Sequence, residues 1–216
     1  MELNQYIEHT LLKQNATKEE IIKLLDEAIK YKFLGVCINP CNVSFAKEYL
    51  KNSDIKIVTV IGFPLGQNTT EVKILETIDA VKNGADEIDM VINGGKLLDG
   101  DYDYIIEEIS KIKAACQGRN LKVIIETDLL TPEQIKTACE LCIKGGADFV
   151  KTSTGFVKNG VGAKVEDVQL MYNTVKEAGL QVKASGGIRD KETAIKMINS
   201  GAVRLGTSSG VSIIGN

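Results

Sequence analysis

The stretch Asn83-Gly84-Ala85-Asp86-Glu87-Ile88-Asp89-Met90-Val91-Ile92-Asn93 decides the fold. A helical pattern ends in Gly-Ala and runs straight into an apolar strand. Glycine suits such a junction because it adopts the left-handed conformation that ends a helix. The same junction recurs at Gly145-Gly146-Ala147-Asp148 and at Ser200-Gly201-Ala202-Val203, each time before an apolar run. Three copies of helix-Gly-Ala-strand point to a repeating βα unit.

Working outward, the other strand candidates are short runs rich in Val and Ile at 34–38, 56–61, 122–127, 149–152, 181–185 and 203–206, with 87–92 at the centre and a weaker one at 6–10. Helical patterns fill the gaps at 17–32, 70–83, 102–116, 131–144 and 165–178. Thr17-x-x-Glu20 and Thr131-Pro132-Glu133-Gln134 read as capping boxes, and Asp190 as an N-cap. Strand onsets recur at the spacing of a strand plus a crossover helix. Eight strands with intervening helices and no linker predict one α/β domain over residues 1–216, a (β/α)8 TIM barrel. A doubly wound open sheet is the alternative, but it lacks a Gly-x-Gly-x-x-Gly turn after the first strand. Few residues follow 206, too few for a full eighth helix, so an N-terminal segment or a partner subunit is expected to cover that flank.

Composition narrows the function classes. The 216 residues carry 26 basic and 29 acidic side chains, a net charge of −3, so nothing marks a nucleic-acid partner. No apolar run is long enough to span a bilayer, and the first residues lack a basic, apolar signal pattern. A cytoplasmic chain is expected. The five cysteines are odd in number and irregular in spacing, which argues against a disulfide framework. Cys139-x-x-Cys142 could suggest a structural zinc, but it sits mid-helix with no second pair, and buried free thiols are the expectation.

Chemistry in a barrel is found at the C-terminal ends of the strands. In 87–93, alternation sends Ile88, Met90 and Ile92 toward the helices and Glu87, Asp89, Val91 and Asn93 inward. Asp89 is then a carboxylate in a core, where an unpaired charge costs several kcal/mol. Lys151 and Lys183 come late in consecutive strands and can supply the cations. Lys56 and Lys122 stand first in theirs and are expected to be solvated rim lysines. Two crowded, buried ammonium groups repel, so one pKa of the pair is expected to fall, and a neutral lysine attacks carbonyls. The plainer alternative is two lysines each bridged to a barrel acid. Glu126 is a weaker candidate of the same type. The turns Ser185-Gly186-Gly187-Ile188 and Gly206-Thr207-Ser208-Ser209-Gly210 end the last two strands, where barrels often bind phosphate through backbone N–H groups.

These stretches resemble the deoxyribose-phosphate aldolase family. The likeness runs through Ile7-Glu8-His9-Thr10-Leu11-Leu12, Gly35-Val36-Cys37-Ile38-Asn39-Pro40, Val60-Ile61-Gly62-Phe63-Pro64-Leu65-Gly66 and Gly84 to Val91. It continues through Lys151-Thr152-Ser153-Thr154-Gly155-Phe156, Lys183-Ala184-Ser185-Gly186-Gly187-Ile188-Arg189 and Gly206 to Val211. The resemblance implies a Schiff-base (class I) aldolase with no metal and no cofactor. Its reaction is the reversible cleavage of 2-deoxy-D-ribose 5-phosphate to acetaldehyde and D-glyceraldehyde 3-phosphate. By motif, Lys151 is similar to the Schiff-base lysine, Lys183 to its pKa-lowering neighbour and relay partner, and Asp89 to the proton donor and acceptor. Thr152, Ser185, Gly186, Gly187, Gly206, Thr207, Ser208 and Ser209 are the expected substrate and phosphate contacts. The partners implied are small phosphorylated sugars and aldehydes, with a homodimer or higher homo-oligomer. Two departures stand out: Glu8 where the family usually has Asp, and a tail without the tyrosine that ends some members. The competing functions are a phosphosugar isomerase or synthase on the same barrel, which would need a glutamate base or a different lysine partner, and a silent phosphate sensor, which has no use for paired late-strand lysines.

Overall fold

In a computed structural model of the chain, describing residues 2–215, eight parallel strands close into a barrel in sequence order. They are β1 (Ile7–Leu11), β2 (Gly35–Ile38), β3 (Lys56–Ile61), β4 (Glu87–Val91), β5 (Asn120–Ile124), β6 (Phe149–Lys151), β7 (Gln181–Ser185) and β8 (Ala202–Thr207). The ring around them comprises α1 (Lys18–Tyr31), α2 (Val43–Tyr49), α3 (Thr70–Asn83), α4 (Gly94–Leu98), α5 (Tyr102–Ala115), α6 (Pro132–Gly145), α7 (Val165–Val175), α8 (Lys191–Asn199) and α9 (Gly210–Ile214). The barrel spans the described residues as one body; Met1 and Asn216, the ends of the expected 1–216 domain, lie outside them.

Local chemistry places these elements where the sequence indicates. Both capping boxes form, at Thr17 with Glu20 and at Thr131 with Gln134, and Asp190 accepts the Thr193 N–H at 2.8 Å. Gly84 (φ 104°) and Gly146 (φ 77°) end their helices in the left-handed region. Ile88, Met90 and Ile92 are fully or almost fully buried in the layer between barrel and helices. The weakest strand candidate is β1, displaced by one residue, and it closes the barrel by pairing with both β2 and β8. β5 starts at Asn120 and stops at Ile124, earlier at both ends than the run 122–127, because Glu126 takes a left-handed backbone (φ 59°) that breaks the ladder.

The short eighth helix is compensated from within the chain. A 3-10 turn at Leu3–Tyr6 packs beside α9, and Leu3, Ile7 and Ile213 share one buried cluster. Another buried contact braces the end of β4: Lys73 Nζ donates to the Val91 carbonyl and to Glu108, each at 2.9 Å. Breaking such a buried pair from one side costs about 3–5 kcal/mol. Cys139 and Cys142 sit buried on the inner side of α6 as free thiols, and burial pushes the Cys139 thiol up to about 12. Among the described residues, no helix is long and apolar enough to cross a membrane.

Candidate active site

Strand alternation fills the barrel axis with charge. Glu8 on β1, Glu87 and Asp89 on β4, Lys122 on β5, Lys151 on β6 and Lys183 on β7 all point inward and are at most 3% exposed. Asp89 is the hub. Its Oδ2 accepts from Lys151 Nζ at 2.8 Å and from Lys183 Nζ at 2.6 Å, and its Oδ1 accepts from Lys122 Nζ at 3.0 Å. Lys183 also bonds Glu8, and Lys122 lies 2.5 Å from Glu87. Arg204, on β8, approaches Glu8 at 3.7 Å, and Lys56 approaches Glu87 at 3.3 Å.

This corrects the expectation for Lys122. It is no rim lysine but a fully buried one, set in register with Asp89. The strand begins two residues before the apolar run does, so Lys122 falls inside the barrel. Lys56 is a half-exposed rim lysine as expected.

Burial alone raises the pKa of Asp89, but Lys122, Lys151 and Lys183 outweigh it and hold the carboxyl well below its usual range. Burial alone lowers that of Lys183, yet Asp89 and Glu8 reverse the sign and its pKa is raised. Lys183 therefore rests as an ammonium at neutral pH. Both lysines do meet one acid, as the plainer alternative supposes, but it is the same acid and the same oxygen.

A cavity of about 410 Å³ opens at the C-terminal end of the strands, and Lys151 lines it. Around it stand Ser185, Gly186, Gly187, Ile188, Gly206, Thr207 and Ser208 from the two glycine-rich turns. Gly186 (φ 81°) and Gly187 (φ 74°) both have left-handed backbones, and a Cβ on Gly187 would lie 2.4 Å from the Val161 carbonyl oxygen. Only glycine fits this turn without strain. Two expected contacts are placed elsewhere. Thr152, directly after β6, is fully buried, and its hydroxyl donates to the Ser185 carbonyl and accepts the Ser185 N–H, both at 3.0 Å. It ties β6 to β7. Ser209 uses its N–H on the Thr207 hydroxyl at 2.9 Å, at the start of α9.

The cavity also has lining residues that spacing did not single out: Lys13, Thr154, Phe156 and Arg189. Lys13 and Arg189 are loop residues with no periodic signal, though basic side chains beside a glycine turn are a usable hint. A larger cavity of about 730 Å³ lies at the opposite, N-terminal end, lined by Lys47, Lys56, Arg119 and Asn120 among others. It holds none of the buried lysines, and in barrels that end carries stability.

A closed parallel barrel in which a buried lysine amine meets a cavity beside two glycine-rich turns is an enzyme-like arrangement, and comparison with known proteins places it among the aldolases. The sequence profile of the DeoC/LacD family of aldolases matches residues 3–215, and the chain belongs to that family. It is similar to the deoxyribose-phosphate aldolase of Finegoldia magna, 56% identical over 214 residues and covering 99% of both chains. The enzyme of that name from Thermococcus gammatolerans is 57% identical over 220 residues, covering 99% of this chain and 96% of the relative. Among solved structures, the deoxyribose phosphate aldolase of Aeropyrum pernix, described as a unique tetramer, superposes with a TM-score of 0.90 at 34% identity, covering 99% of this chain and 89% of that one. An aldolase called QR15 superposes at 0.93 with 43% identity, covering 98% and 93%.

Proposed function

We propose that the chain reversibly cleaves 2-deoxy-D-ribose 5-phosphate to acetaldehyde and D-glyceraldehyde 3-phosphate through a Schiff base on Lys151. The observation that carries this is that Lys151, of the three lysines buried on the barrel axis, lines the cavity shared with the glycine-rich turns. Three carboxylates face three buried lysines, with Arg204 and Lys56 at the edges, so positive charge is in surplus.

The Lys151 amine adds to the C1 carbonyl of the open-chain sugar, and water leaves to give a protonated imine. The C2–C3 bond then breaks toward the imine as the C3 hydroxyl loses its proton, releasing the phosphorylated aldehyde and leaving an enamine. Protonation at C2 and hydrolysis return acetaldehyde and the free amine. Asp89 and Lys183 stand directly behind the amine as an acceptor and a donor, which suits them to hold the proton between the C3 hydroxyl and C2. The 5-phosphate is assigned to Gly186, Gly187, Gly206, Thr207 and Ser208, with Arg189 and Lys13 as charges on the rim; binding there positions the distant carbonyl. No metal or cofactor enters this scheme.

Incubation with 2-deoxyribose 5-phosphate in buffer containing a chelator should release acetaldehyde, and plain 2-deoxyribose should show a far higher KM. Absence of acetaldehyde refutes the assignment, and equal KM values refute the phosphate site.

Self-association is part of the proposal. Val72, Leu75 and Ile78 follow at helical spacing on the outward side of α3 and are 43%, 65% and 42% exposed, an apolar stripe that a second copy would cover. Sedimentation should give a dimer or larger species that Leu75→Glu splits; a monomeric wild type contradicts it. Buried free thiols suit a reducing, cytoplasmic setting.

A further inference from the structure

Two carboxylates outside the catalytic cluster grip the loop that joins β6 to α7. At its start, Glu126 accepts the Thr154 N–H at 3.1 Å and also the Thr154 hydroxyl. Near its end, Asp128 Oδ2 accepts the Gly162 N–H at 2.7 Å. Both acids belong to the turn that follows β5, and Thr127 between them donates its N–H to the Thr152 carbonyl at 2.9 Å. Glu126 is buried with a left-handed backbone, a conformation non-glycine residues hold only when their surroundings impose it. Its burial also raises its pKa.

Between the two grips, Gly155 and Phe156 line the cavity, and Phe156 rests edge-on against Phe63 with ring centres 5.1 Å apart. At the second grip, the loop is wedged against the glycine turn after β7. A Cβ on Gly162 would lie 2.4 Å from the Gly186 carbonyl carbon, so the two backbones touch. The Ala163 N–H is shared between the Ser185 and Gly186 carbonyls, 3.1 Å from each. Val161 presents its carbonyl to Gly187. The place of Gly186 and Gly187 is thus set by residues 161–163, and theirs is set by Asp128.

We propose that Asp128, with Glu126, is a positioning residue for phosphate recognition: the two acids clamp the β6–α7 loop at both ends, and through Gly162 the loop holds the Gly186–Gly187 turn in its anion-facing form. This rests on the assignment of the 5-phosphate to that turn. Neither carboxylate touches the reacting atoms.

Steady-state kinetics of Asp128→Ala on the two sugars test it. The variant leaves the Gly162 N–H without its partner, so KM for 2-deoxyribose 5-phosphate should rise on the order of tenfold while kcat changes by less than about twofold. On plain 2-deoxyribose, kcat/KM should fall by less than about twofold. Asp128→Asn keeps an acceptor oxygen and should restore most of the KM. An equal loss on both sugars, or no loss on either, overturns the proposal. If the wild type itself does not prefer the phosphorylated sugar, the phosphate assignment fails first and the clamp loses its role with it.

Discussion

Borohydride reduction of the enzyme in the presence of acetaldehyde leaves an N-ethyl group on Lys151, and the Lys151→Arg variant acquires none. Reduction traps an imine only where an unprotonated amine meets the aldehyde. Lys122 and Lys183 are fully buried behind Asp89, whereas Lys151 opens onto the cavity. Arginine keeps a cation for Asp89, so the charged cluster survives while the nucleophile is lost. Without covalent catalysis the turnover number should fall by at least about four orders of magnitude. Peptide mass analysis locates the adduct; finding it on another lysine, or nowhere, removes Lys151 from the role assigned to it.

Replacing Lys183 by leucine should also be costly, though less so, and with a distinct signature. Lys151 and Lys183 share one oxygen of Asp89, and two like charges roughly 5 Å apart at an effective dielectric constant of about 20 repel by about 3 kcal/mol. Removing Lys183 abolishes that repulsion and frees Asp89 to favour a proton on its remaining partners. Both effects make the attacking amine easier to protonate. The acid limb of the pH–rate profile should therefore move up by about two pH units, and kcat at neutral pH should fall by two orders of magnitude or more, roughly the sum of lost nucleophile and lost proton relay. The direction is unambiguous around neutrality. Lys183, its pKa raised, keeps its charge and its contribution to stability until the pH climbs above the normal lysine range. Asp89, its pKa depressed, loses its own only as the pH falls below the normal carboxylate range. An unshifted profile in the variant disproves the coupling. Lys183→Arg, which keeps the cation, should leave the limb near its original position.

Much of this site is legible in the sequence because two physical rules are strict. Period-two alternation in an apolar strand forces Asp89 inward whatever the neighbours are, and glycine after a strand announces a tight turn. Lys151 and Lys183 follow from their late positions in consecutive strands. Lys122 escapes because hydrophobicity marks where a strand becomes apolar, not where its hydrogen bonds begin; Asn120 and Leu121 already belong to β5. Thr152 escapes because a hydroxyl next to Lys151 in sequence says nothing about which backbone groups it will bond. The grip of Asp128 on Gly162 joins residues 34 apart in two loops, and no local pattern encodes it. The Leu3–Tyr6 turn over α9 is similarly a matter of which chain segment happens to be within reach once the barrel is closed.

The barrel's closing seam has a further consequence for how the enzyme comes into being. Glu8 and Lys183 bond across 175 residues of chain, and the remaining charged groups come from the fourth, fifth and sixth strands. On a ribosome, Glu8 emerges early and waits for its cation until most of the polypeptide has been made, since domains are synthesised from the N-terminus at a finite rate. Strands β4 to β7 carry every member of the charged centre except Glu8, which β1 brings in from the other end of the chain. The set of buried charges is complete only when β1 and β7 are both in place in the barrel, so a chain that ends before β7 leaves Glu8 without its cation.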